Sequence, residues 1–282
     1  MINEFNLKVP NESRHIRLRL SVPNIASHQL RQLIIIATGL HSHMDKKSQV
    51  TTAESYQKAG FATLQFNFMG HGEQQNKSDG KIENVTMSSS LADLKTVWDY
   101  TQRLPEDIDS KHISISANSY GALISLMALE EKLISPDSMV LIAPFSLDKF
   151  RPWVLPLHLI TKFMPDKVEK ILKLPISAAM LTDFLRKHTK GMTKKDLLGH
   201  TAVRFFVGSA DRISSLTDVQ KWCRVFNAHT PADYPFVDNT QANYTVYEGV
   251  PHFNIPEQVQ RDITTRSINF IRKTLEINTH TR

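Results

Sequence analysis

Three residues in this sequence have the types, order and surroundings to take a proton from a hydroxyl and attack a carbonyl: Ser119, Asp211 and His252. Ser119 lies in Ile113-Ser114-Ile115-Ser116-Ala117-Asn118-Ser119-Tyr120-Gly121-Ala122. There an apolar, alternating run enters small-x-Ser-x-Gly and a helical stretch follows at once. A sharp strand-to-helix turn of this kind holds a serine in a strained conformation with its oxygen clear of the sheet. Ala117 and Gly121 are small enough for strand and helix to pack closely, and the amide of Tyr120 points where an oxyanion would form. The chemistry implied is acyl transfer through a serine ester.

A serine hydroxyl is a weak nucleophile near neutral pH and needs a base, itself oriented by an acid. On this kind of turn the chain order is serine, acid, histidine. Asp211 follows the apolar run Val203 to Val207 in the turn Gly208-Ser209-Ala210-Asp211. It also suits the cap of a helix starting near Ser215. Asp148, beyond a strand ending at Pro144, is a second place for the acid, and Asp218, deeper in the next helix, suits the role less. His252 follows Tyr244 to Glu248 in Gly249-Val250-Pro251-His252-Phe253; it is one of 12 histidines, and order and position single it out. An oxyanion needs two backbone N–H donors. Tyr120 supplies one. Leu40 is the candidate for the other, in Thr38-Gly39-Leu40-His41-Ser42-His43, where Gly39 lets the backbone approach. His41 and His43 have no carboxylate pair or cysteine cluster nearby, so no metal site is expected. No organic cofactor is expected either.

Elements ending side by side must carry these residues. Leu33 to Ala37 is a continuous apolar run, as in a strand buried on both faces. Leu7–Val9 and Ile16–Val22 read as short antiparallel strands. Phe61–Phe68, Met139–Pro144, Val203–Gly208 and Tyr244–Glu248 read as further strands. Thr52–Ala59, Leu91–Tyr100, Ala122–Lys132 and Glu257–Leu275 have helical spacing. The alternation predicts an α/β fold: a mostly parallel central sheet flanked by helices, with ligands beyond the carboxyl ends of the strands. Residues 147–200 break the alternation. They contain Pro152, Pro156, Pro165 and Pro175 and read as short helices over Leu155–Phe163, Lys167–Leu174 and Ala178–Lys187. A helical cap over 147–200, inserted in a core of 1–146 and 201–282, is the expected organisation. Apolar cap residues such as Trp153, Leu157 and Phe163 would line an acyl pocket or form the cap's own core. Ala228–Asn243 reads as a surface loop.

Composition narrows the function classes. Hydrophobic residues at 41% and charged residues at 22% suit a globular domain with an ample core. No apolar stretch reaches the roughly 18 residues of a membrane span, and the first residues lack the basic-then-apolar pattern of a secretory signal. The one cysteine, Cys223, excludes an intramolecular disulfide. A cytoplasmic location is the expectation. The net charge of +6 is modest, and the basic residues are scattered with a local excess between Lys162 and Lys195. That excess reads as a solvated helix face, or as a surface for an acidic partner or anionic membrane. No motif for nucleic-acid recognition accompanies it. The sequence does not specify an oligomeric state.

On these residues the chain resembles the α/β-hydrolase superfamily over nearly its whole length. It is most similar to the branch of bacterial esterases, monoacylglycerol lipases and serine aminopeptidase-like enzymes. Four places carry the resemblance: Ile34-Ile35-Ile36-Ala37-Thr38-Gly39-Leu40; the strand from Gly60 running into Gly70-His71-Gly72-Glu73; the turn around Ser119; and the pair Asp211 and His252. The resemblance implies a Ser119–His252–Asp211 triad, a cap after the strand ending at Pro144, and cleavage of carboxylic esters through an acyl-enzyme. Two positions depart from the branch. Thr38 stands where it usually has histidine, and Ala117 where it usually has glycine. Both are similar to the acyl-transferases of bacterial luminescence systems, which cleave long-chain acyl groups from a carrier protein. The implied substrate is a small-molecule ester. The alternative is an acyl thioester, cleaved by a thioesterase or acyltransferase acting on long-chain acyl-carrier protein or acyl-CoA.

Overall fold

Residues Leu33-Ile34-Ile35-Ile36-Ala37 are buried along their whole length. Successive side chains of a strand point to opposite faces. Leu33, Ile35 and Ala37 accordingly enter one apolar cluster, and Ile34 and Ile36 a second on the other face. The computed structural model describes residues 1–24, 30–145, 179–180, 183, 201–228 and 242–280. Among them one sheet of eight strands is built: β1 (Ile2–Lys8), β2 (His15–Ser21), β3 (Arg31–Ala37), β4 (Ala62–Phe66), β5 (Ile108–Asn118), β6 (Ser138–Ile142), β7 (Ala202–Gly208) and β8 (Ala242–Tyr247). Their order is β1-β2-β4-β3-β5-β6-β7-β8. β1, β2 and β4 pair antiparallel, and every pair from β4 through β8 is parallel.

Helices cover both faces. α1 (Lys47–Lys58) and α5 (Glu257–His280) bury Tyr56, Ile263, Ile271 and Leu275 on the Ile34/Ile36 side. α2 (Met87–Thr101), α3 (Tyr120–Glu130) and α4 (Leu216–Ala228) cover the other face. α3 is buried from Tyr120 through Leu129, as expected of a helix apolar all round. α2 starts on a reciprocal cap: Ser89 N–H donates to Thr86 Oγ1 and Thr86 N–H to Ser89 Oγ, each at 3.0 Å. Such a cap stabilises by about 1 kcal/mol.

Most elements follow the sequence pattern, but β1 runs over Ile2–Lys8 rather than Leu7–Val9, because its mostly exposed residues carry little apolar signal. α1 begins at Lys47 rather than Thr52, because its polar first turn carries no apolar periodicity. β4 stops at Phe66 rather than Phe68; beyond it the Asn67 side chain is engaged by loops, with Oδ1 accepting from Met44 N–H at 2.8 Å and Nδ2 donating to Asn76 O at 2.6 Å. The expected cap lies outside the described residues except Ala179, Met180 and Asp183, which are helical. Met180 is buried in the main cluster, and Asp183 accepts from Ser88 N–H and Oγ at the start of α2, each at 2.8 Å. Most of the expected loop over Ala228–Asn243 also lies outside. No described helix is long and apolar enough to cross a membrane.

Candidate active site

Ser119 sits between β5 and α3 with φ 50° and ψ −116°. An L-residue at positive φ is strained by about 1 kcal/mol or more, and that strain persists only where the surroundings enforce it. Here Ser119 N–H donates to Ile142 O at 2.8 Å, and Phe145 N–H donates to Ser119 O at 3.0 Å. The crossing of α3 over β3 is so close that a Cβ on Gly121 would lie 2.5 Å from Thr38 O and 2.6 Å from Ala37 O. Ala117, two residues before the serine, is buried in the core. These constraints lift the hydroxyl to the carboxyl end of the sheet.

β7 and β8 deliver the other two side chains. Ser119 Oγ lies 2.8 Å from His252 Nε2, and His252 Nδ1 lies 2.8 Å from Asp211 Oδ2. A carboxylate only accepts, so Nδ1 is the donor and Nε2 is left to accept from the serine. The Asp211 side chain is fully buried and that of His252 is 5% exposed. The second Asp211 oxygen, Oδ1, accepts from Ile213 N–H and Ser214 N–H, each at 2.8 Å. The two loops are locked to each other. A Cβ on Gly208 would lie 1.9 Å from Val250 O, and Gly249 N–H donates to Ser209 Oγ at 2.8 Å. Asp218, the less suitable acid, pairs with Ser215 Oγ at 2.5 Å and Lys221 instead. Asp148 lies outside the described residues.

The two amides expected at an oxyanion belong to Tyr120 and Leu40. Tyr120 is the first residue of α3, where N–H groups have no partner within the helix. Its phenol is buried and donates to Ser90 Oγ at 2.9 Å, and burial holds its pKa well above the ordinary value. Leu40 lies in a turn closed by Ser42 N–H donating to Gly39 O at 3.0 Å, and a Cβ on Gly39 would lie 3.3 Å from the Ser119 Cβ. A cavity of about 400 Å³ opens beside Ser119 and His252, lined among others by Leu40, Gln49, Asn118, Phe253 and Ile263. Phe253 is exposed and packs edge-on against the His252 ring, with centroids 4.8 Å apart.

His71 contacts the turn that carries Leu40, although its sequence motif suggests no role for the side chain. It is 2% exposed, accepts at Nε2 from His41 N–H at 3.0 Å and donates from Nδ1 to Met69 O at 2.9 Å. The Gly70-His71-Gly72 pattern is the only sequence signal that could have flagged it. His43 Nε2 faces Glu73 at 3.3 Å, and among the described residues no three metal-ligating side chains group together. Thr38, whose type departs from the resembled branch, is fully buried with no partner for Oγ1 among the described residues.

Solved structures share this fold. Est1E from Butyrivibrio proteoclasticus, determined with ferulic acid bound, superposes with a TM-score of 0.69 at 16% identity, over 96% of this chain and 99% of that one. The Pyrococcus furiosus esterase Pf2001 gives 0.67 at 17% identity, over 97% and 92% of the two chains. Mouse alpha/beta hydrolase domain-containing protein 10 gives 0.67 at 16% identity, over 96% and 99%. No curated protein matches in sequence. The family model described as serine aminopeptidase, S33, matches residues 28–226, well over half of the 282. The chain therefore belongs to this family of hydrolases and has the α/β-hydrolase fold.

Proposed function

We propose that the protein is a serine hydrolase that cleaves carboxylic esters, with Ser119 as nucleophile, His252 as general base and acid, and Asp211 orienting the imidazole. The observation that carries this reading is the unbroken Ser119 Oγ–His252 Nε2–His252 Nδ1–Asp211 Oδ2 chain, with both contacts at 2.8 Å and the serine held at positive φ. Ser119 Oγ attacks the acyl carbon as its proton passes to His252 Nε2. The amides of Leu40 and Tyr120 bind the oxyanion of the tetrahedral intermediate. When the carbon–oxygen bond to the alcohol breaks, His252 returns that proton to the leaving oxygen and an acyl-serine remains. Water then attacks the acyl-serine, with His252 again taking and returning a proton, and the carboxylic acid leaves. The carboxylate of Asp211 holds Nδ1 protonated and offsets the charge on the imidazolium.

Turnover of a p-nitrophenyl acyl ester series, with fluorophosphonate labelling, tests the proposal. Ser119→Ala is expected to lose labelling and to lower kcat by more than about 10⁴-fold. Absence of both activity and labelling in the wild-type chain overturns the reading. Faster cleavage of long acyl thioesters than of any oxygen ester would reassign the substrate to an acyl carrier and leave the same three residues in the same roles.

A further inference from the structure

We infer that His71 is a positioning residue for the reaction: its Nε2 holds the turn that presents the Leu40 amide to the oxyanion. The inference rests on the ester-hydrolase reading of the Ser119 site.

Gly39, Leu40, His41 and Ser42 form a turn closed by the Ser42 N–H to Gly39 O bond. His41 has φ 56° and Leu40 is not at positive φ. Positive φ at the third position alone is the type II pattern, which favours glycine there. A histidine is strained in that place. The competing type I turn removes the strain by flipping the Leu40–His41 peptide, and the flip rotates the His41 N–H away. Only the observed orientation lets His41 N–H reach His71 Nε2, at 3.0 Å. That hydrogen bond therefore selects one of two turn geometries; the flip leaves the Gly39–Leu40 peptide in place, so the bond acts on the Leu40 N–H by anchoring the turn that carries it to the buried His71.

His71 is itself fixed. Its Nδ1 donates to Met69 O, its own N–H donates to Phe68 O at 2.9 Å, and the ring packs edge-on to Phe68. Met69 N–H donates to Asp93 Oδ2 at 2.8 Å, and Asp93 pairs with Arg14 in the interior. Gly70 and Gly72 both take positive φ, and a Cβ on Gly72 would lie 2.3 Å from Asn76 O. The turn bearing His71 thus has no room to drift. Burial pushes the imidazole down to about 4, which keeps it neutral at ordinary pH with a lone pair on Nε2. A protonated ring would present a hydrogen to the His41 N–H and break the contact.

The test is steady-state hydrolysis of p-nitrophenyl butyrate by wild type, His71→Leu and His71→Gln, with fluorophosphonate titration to count competent sites. Leucine has no acceptor; glutamine can accept from His41 and donate to Met69. We expect His71→Leu to lower kcat per labelled site by about 10- to 1,000-fold, the range for losing an oxyanion donor. KM should stay within about threefold, labelling should be slower but reach full stoichiometry, and His71→Gln should recover much of the rate. A purely structural role would reduce the labelled fraction and leave kcat per labelled site unchanged, and that result overturns the inference. If His71→Leu does not fold, His71→Met replaces it, since a thioether is only a weak acceptor. A wild-type chain that neither turns over the ester nor takes the label sinks the hydrolase reading, and this inference with it. An active wild type with an unimpaired leucine variant sinks only the His71 role.

Discussion

Asp211 divides its carboxylate between the backbone and His252. Oδ1 takes two amide hydrogens, from Ile213 and Ser214, while Oδ2 faces His252 Nδ1. The amides fix which oxygen points at the imidazole. In Asp211→Asn, the side-chain oxygen keeps the two backbone donors, so the NH₂ group must face Nδ1. Nδ1 then has to accept, the ring proton moves to Nε2, and the imidazole can no longer take the hydrogen of Ser119. We expect kcat to fall by about 10⁴-fold, as when the corresponding change is made in other serine triads. The thermal midpoint should move little, because shape and backbone bonds are retained. Ester turnover alongside a melting curve checks both halves. Unimpaired turnover would remove Asp211 from the orienting role.

At the scale of elements, the site depends on how closely neighbouring strand ends approach. Gly208 closes β7 where Val250, in the loop after β8, crosses it, and an added Cβ would lie 1.9 Å from Val250 O. Gly249 differs: it has φ 69° and nothing within 4 Å of an added Cβ. Gly208→Ala must push the His252 loop away from the Asp211 loop. It is expected to destabilise by about 1–3 kcal/mol and to lower kcat in the fraction that stays folded. Gly249→Ala should destabilise by about 1 kcal/mol through backbone strain and leave kcat nearly unchanged. Urea unfolding and turnover of the two variants separate these effects, and equal kcat losses would refute the distinction. The sequence makes Ser119, Asp211 and His252 legible because each follows an apolar run and the chain order is constrained. It marks Gly208 only as a turn former, since the contact that excludes a side chain comes from Val250, on another strand's loop. His71 and Asp93 are hidden for a similar reason. Periodicity reports which positions are apolar, but a buried polar group is explained by its partner, and Arg14 is 79 residues from Asp93.

For the molecule as a whole, these buried polar groups make stability depend on pH in opposite directions. Burial lowers the His71 pKa from 6.5 to about 4. Between those values the unfolded chain binds the proton and the folded one does not. The His71 contribution is therefore full above 6.5 and is lost as pH falls toward 4. The difference corresponds to about 3 kcal/mol across the window. Asp93 acts in the reverse sense. Burial raises it from 3.8 to about 6, against the attraction of Arg14, so its folded form gains protons first and stability rises as pH falls through that range. In the wild type the two overlap and largely cancel between about pH 6 and 4. His71→Gln removes one of them. Its unfolding free energy, measured in urea at half-unit steps from pH 7.5 to 4.5, should improve relative to wild type steadily as pH falls below 6.5. Parallel curves would mean that His71 is as easily protonated in the folded chain as in the unfolded one, and that its Nε2 is not committed to the His41 amide.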